Sequence, residues 1–178
     1  MTSTVFLFGL CHCDQYPCDA ERGDDLRGRL LAEISGRDID LICEEAPPTG
    51  KESRMTAAHC LAVARRILYR NVDPTEAERD RLGIRTELTK EEYYEICAAD
   101  DPHSAERLKL ADLAEPREQR WLINIHKIED FWRSMLFVCG ANHVQSFRAK
   151  LLAAGYDTKI IEQDFPDRPL EIFNSDRY

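Results

Sequence analysis

The stretch VFLFGLCHC, Val5 to Cys13, decides how the chain folds. Val5 to Leu10 is an apolar run of strand length with no polar alternation. Such a run is buried on both faces, as in a parallel sheet covered by helices. Two further runs repeat the plan: IDLICEE, ending at Glu45, and SMLFVCG, Ser134 to Gly140. TKIIE, Thr158 to Glu162, is a fourth.

Helical patterns separate these runs. After a loop from Cys13 to Asp25, LRGRLLAEISG supplies a short helix stopped by Gly36. In TAAHCLAVARRILYRN, Ala57, Leu61, Ala64 and Leu68 recur at helical spacing and predict one helix. DPTEAERDRLG reads as a helix with Asp73 as cap, Pro74 at the first helical position and Gly83 at its end. LTKEEYYEICAA carries Thr89 and Glu92 at capping-box spacing. EPREQRWLINIHKIEDFW predicts a longer helix with Trp121, Ile125, Ile128 and Trp132 on one side. NHVQSFRAKLLAAGY predicts a helix with Val144, Phe147 and Leu151 inward, ending near Gly155. The tail after the fourth strand is turn-rich. The fold expected is a single α/β domain over residues 1–178: a mostly parallel sheet of about four strands with helices on both faces. The polar region 73–113 is expected to be a helical insertion or lid within it.

The 178 residues suffice for one core, and a net charge of -9, from 33 acidic and 24 basic residues, argues against nucleic-acid binding. Seven cysteines, an odd number, cannot all pair within the chain. No basic region precedes the first apolar run, and no run is long enough to span a membrane. A reducing cytoplasm is the expected location. Glycine-rich phosphate loops and a Gly-x-Ser-x-Gly elbow are absent, which moves weight toward histidine–carboxylate chemistry.

That chemistry has a visible focus. LFVCGANH repeats FLFGLCH: an apolar strand, then glycine, two residues and histidine. Gly9 and Gly140 would let the chain turn off the sheet and leave room for a ligand. His12 and His143 would then lie over neighbouring strand ends. Glu44 and Glu45 end another strand, and their side chains point to opposite faces if the strand runs through them. In an open parallel sheet these ends line the ligand crevice. His12, His143 and Glu45 would suit a divalent metal with an open position for water. Two histidines and a carboxylate also serve as proton donors and acceptors without metal.

The set Gly9-Leu10-Cys11-His12, Glu44-Glu45 and Gly140-Ala141-Asn142-His143 resembles the TraB/Tiki, ChaN and erythromycin-esterase-like superfamily. That pattern adds an arginine on the helix before the second motif. PREQRW, Pro116 to Trp121, is similar to it, with Arg117 matching best and Arg120 competing. The resemblance implies His12 and His143 as paired histidines, Glu44 or Glu45 as the carboxylate and Arg117 as the oxyanion partner in a hydrolase. Its substrate, a small molecule or peptide, is left open. The plain alternative for Arg117 is a salt bridge to an acid on its own helix or in the middle region. Two other readings stand beside the hydrolase. One is a non-enzymatic ligand-binding or regulatory protein that forms oligomers through the middle helices. The other is a Cys/His metal-binding protein using Cys11, His12, Cys13 and Cys18.

Overall fold

A computed structural model describes residues 3–10, 20–46 and 55–165. Strands β1 (Thr4–Leu10), β2 (Leu41–Glu44), β3 (Leu68–Asn71), β4 (Ser134–Gly140) and β5 (Asp157–Phe165) form one sheet in the order β3-β2-β4-β1-β5. Every pairing is parallel. The α/β class and the parallel sheet are as the apolar runs predict, with five strands where about four were expected.

Side-chain alternation divides the core. Val5, Leu7, Leu41, Cys43, Met135, Phe137 and Cys139 face one side. There they meet helix α5 (Pro102–His126) through Trp121 and Ile125, and helix α6 (Val144–Ala153) through Phe147 and Leu151. Phe8, Ile42, Leu136 and Val138 face the other side. They pack on helix α1 (Ala20–Ser35) through Leu26 and Leu30, and on helix α2 (Ala57–Arg65) through Leu61. Each large side chain so buried contributes roughly 1.5–3 kcal/mol.

Several boundaries differ from the sequence expectation. Helix α1 begins at Ala20, inside the segment read as loop. Helix α2 stops at Arg65 because Arg66 adopts a left-handed φ of 58° and caps the helix through its own N–H. Leu68 therefore belongs to β3 and is exposed, and the buried stripe of α2 is Ala57, Ala58, Leu61 and Ala62. Helix α3 (Glu76–Leu82) is capped by Thr75 with a reciprocal bond to Glu78, not by Asp73, and Pro74 precedes the helix. Gly83 closes it with φ 66°, and Thr89–Glu92 caps helix α4 (Lys90–Ala98) as expected. Helix α5 starts at Pro102 and runs through Pro116. Trp121 and Ile125 lie on it, whereas Ile128 and Trp132 lie beyond its end.

Region 73–113 thus comprises α3, α4 and the first half of α5. Helix α3 buries no side chain and α4 buries only Ile96, so these two helices hold little core of their own. The second half of α5 ties it to the sheet. No helix among the described residues is long and apolar enough to cross a membrane.

Candidate acid–base site at the strand ends

Register brings the strand ends together. Leu10 pairs with Gly140, and Glu44 pairs with Val138. Glu44 and Glu45 then part to opposite faces, as alternation requires. Glu44 shares the α2 face: its carboxylate accepts hydrogen bonds from Thr56 Oγ1 at 2.5 Å and Tyr69 Oη at 2.8 Å. The His59 ring stacks on Tyr69 there, with centroids 4.2 Å apart. Glu45 faces α5 and α6 and is fully buried. The Gly140 N–H donates to Glu45 Oε2 at 2.8 Å, which ties the end of β4 to the end of β2.

Arg117 meets Glu45 from helix α5. Its Nη1 lies 2.7 Å from Glu45 Oε1. Its Nε and Nη2 grip Asp73 at 2.7 and 2.8 Å in a two-pronged pair. Trp121 Nε1 also donates to Asp73 Oδ1, at 3.0 Å. Burial opposes the Arg117 charge, but Asp73 and Glu45 outweigh it and hold the guanidinium pKa above its ordinary value. The competing Arg120 turns away to Glu78, 2.6 Å distant at the surface. The contacts are those of the plain reading of Arg117, a salt bridge to an acid of the middle region, to which the strand-end acid Glu45 adds a second partner.

His143 follows β4 at the N-terminal edge of α6. Its Nδ1 lies 2.8 Å from Glu118 Oε1, and its Nε2 lies 3.6 Å from Glu45 Oε1. The second distance exceeds a hydrogen bond but is short for two polar groups in a buried setting. Trp121 packs edge-on to the imidazole with centroids 4.9 Å apart. Glu118 has no exposed surface. It accepts from Ser146 Oγ at 2.6 Å and pairs with Lys150 Nζ at 3.0 Å. Burial raises its pKa, yet the bonds from His143, Ser146 and Lys150 prevail and leave it below the usual carboxylate range.

A cavity of about 360 Å³ opens beside these groups. Its lining includes Arg85, Arg107, Arg117, Asn142, His143 and Ser146. The volume falls at the small end of the range typical of small-molecule sites, roughly 300–1,000 Å³.

The structure brings together Glu45, Arg117, His143 and Gly140 and sets Glu44 apart on the other face. His12 lies outside the described residues, as do Cys11, Cys13 and Cys18. Gly9 does not turn the chain off the sheet: it stays within β1. A side chain there would meet the Gln163 carbonyl oxygen at 2.1 Å and Val144 Cγ2 at 2.5 Å. Its space is taken by neighbouring protein, not by a ligand. Gln145 is bonded to Gln163 at the surface.

Glu118 and Asp73 were missed as site residues. Glu118 had a signal, because it shares the buried stripe with Trp121, Leu122 and Ile125, where an acid requires a partner. Asp73 was masked by its resemblance to a helix cap.

Of the expected metal set His12, His143 and Glu45, His12 lies outside the described residues. Among the described residues, no group of three or more His, Cys, Asp or Glu is placed to hold a metal ion. Glu45 engages a guanidinium through one oxygen and a backbone N–H through the other, so a cation there would have to displace Arg117.

No protein-family model, curated protein or solved structure matches the chain.

Proposed function

We propose that the chain is a hydrolase of the TraB/Tiki, ChaN and erythromycin-esterase-like type, working by acid–base chemistry at His143. The observation that carries this reading is the linked set Glu118–His143–Glu45–Arg117 beside a cavity. Glu118 engages Nδ1 of the imidazole and leaves Nε2 as the proton acceptor. Water gives a proton to Nε2 and its oxygen attacks a carbonyl carbon or a phosphorus. The charge that develops on the electrophile's oxygen is stabilised by Arg117, held in place by Asp73 and Glu45. The bond to the leaving oxygen then breaks, and the imidazolium returns its proton to that oxygen. Glu45 keeps Arg117 and His143 in register and offsets their charge.

A panel of chromogenic carboxylic and phosphoric esters tests this. Turnover by the wild-type chain that falls roughly 10²–10⁴-fold in His143→Ala supports it. Turnover by no ester, or equal turnover by the variant, contradicts it. Unpaired thiols at Cys43 and Cys139 suit a reducing cytoplasm.

A second reading, a non-enzymatic binding protein acting through a partner, draws on the middle region. Tyr93, Tyr94 and Leu108 are exposed there, and such side chains are the stuff of contact surfaces. Size-exclusion chromatography with light scattering distinguishes a monomer from an oligomer formed through that face.

A further inference from the structure

We infer that the cavity beside His143 is a recognition pocket for small organic anions, in which Arg107 and Arg85 select substrates bearing a carboxylate or phosphoryl group on an apolar body. This deepens the hydrolytic reading of His143 and rests on it for the word substrate.

The charge distribution is the first support. The chain carries 33 acidic and 24 basic residues, yet the cavity is lined by three arginines and a histidine and by no carboxylate. Arg85 is paired with Glu92 and Arg117 with Asp73 and Glu45, so the positive charge the cavity offers an anion is chiefly that of Arg107, which is bonded to the neutral Ser104.

The second support is how the arginines are held. Arg85, in the link between α3 and α4, donates through two nitrogens to Glu92 at 2.8 and 2.9 Å. Glu92 is fixed in turn by the Thr89 N–H at 2.9 Å, as part of the cap of α4. The Arg85 guanidinium is therefore positioned before any ligand arrives. Arg107 on α5 donates to the hydroxyl of Ser104, a neutral partner, at 3.0 Å. Guanidinium groups match the planar oxygens of a carboxylate or the oxygens of a phosphoryl group.

The third support is the remaining wall. Leu110, Ala111, Leu113 and Ala114, which lie between Arg107 and Arg117 along α5, add an apolar surface to the lining. An inorganic ion would leave that wall uncovered, whereas an acyl or aryl body would bury it. The anionic end would sit at Arg85 and Arg107, and the scissile bond would extend toward His143.

Binding of benzoate, phenylphosphonate and the neutral isostere benzamide to the full chain, followed by calorimetry and by amide NMR shifts, tests the inference. Benzoate and phenylphosphonate should bind saturably, shift amides around Asn142–Ser146 and weaken with added salt. Benzamide should bind at least tenfold more weakly. Arg107 is exposed on α5, so Arg107→Ala should keep the wild-type Tm and lose at least tenfold in phenylphosphonate affinity, with partial recovery in Arg107→Lys. Equal binding of benzoate and benzamide, unaltered affinity in Arg107→Ala, or no saturable binding of either anion overturns it. Phenylphosphonate cannot be hydrolysed, so the measurement does not depend on turnover. Anion binding in a chain that hydrolyses nothing sinks the hydrolase and leaves an anion-binding pocket. A hydrolase that cleaves neutral and anionic esters equally keeps the proposed function and overturns the pocket.

Discussion

His143 Nδ1 lies 2.8 Å from Glu118 Oε1, a contact between the residue that caps the start of α6 and a fully buried acid on α5. Its consequence is directional: one imidazole nitrogen is engaged, and the other is turned toward Glu45.

Glu118 should make the fold acid-sensitive. Its pKa is lower in the folded chain than the ordinary 4.5. Its stabilising contribution is therefore complete above the unfolded value and lost as pH falls through the folded one. Thermal melts of the wild type should decline on acidification below about pH 4.5. Glu118→Gln should be less stable near neutral pH by roughly 1–3 kcal/mol and should show a shallower acid slope. Identical slopes in the two proteins would remove Glu118 from this role.

Arg117 and Arg120 lie one helical turn apart and should behave differently. Arg117→Ala leaves the buried Glu45 and Asp73 without their shared cation, a loss of about 3–5 kcal/mol. Arg120→Ala breaks a pair with the partly exposed Glu78 and should cost about 0–1 kcal/mol. Arg117→Lys should recover little, because an ammonium cannot grip Asp73 with two prongs and reach Glu45 as well. Urea denaturation ranks the three variants. Equal losses for the two alanine variants would contradict the geometry.

Gly9→Ala should destabilise the chain by about 1–3 kcal/mol without touching the cavity. The nearest obstruction is the Gln163 carbonyl oxygen, a backbone atom of β5 that cannot step aside alone. A denaturation midpoint equal to that of the wild type would show that β1 and β5 do not approach as described.

Thiol labelling should grade the cysteines. Cys97 is exposed on α4 and should react readily. Cys43 and Cys139 are buried, and burial pushes both thiols above their usual pKa, with Glu45 and Glu118 adding to the effect at Cys139. They should be modified only as the chain unfolds. Peptide mass spectrometry after timed alkylation reads each site, and fast labelling of Cys139 in the folded protein would count against the packing of β4.

The central strands were legible because a run buried on both faces needs no polar alternation, so Val5–Leu10 and Ser134–Gly140 stand out. Strand β3 was not: it is short, lies at the sheet edge and exposes Leu68, and it continues a helical pattern. Only the left-handed turn at Arg66, a conformation uncommon outside glycine, separates the two. The pair Glu44 and Glu45 announced a site, and alternation announced that one of them would leave it. Choosing Glu45 required knowing that Arg117 lies on the same side. The longer helix expected from Glu115 begins instead at Pro102, because α5 continues through Pro116. Long-range partnerships such as Asp73–Arg117 and Glu118–Lys150 leave no local periodicity to read.

The most direct test of the central claim is a long-range ¹H–¹⁵N correlation spectrum of the imidazoles near neutral pH, recorded for the wild type and for Glu118→Gln. The His143 Nδ1 should carry a proton whether or not the ring is charged, and its signals should move in Glu118→Gln. A bare Nδ1 with the proton on Nε2, unaffected by Glu118→Gln, would contradict the assignment of Nε2 as the proton acceptor.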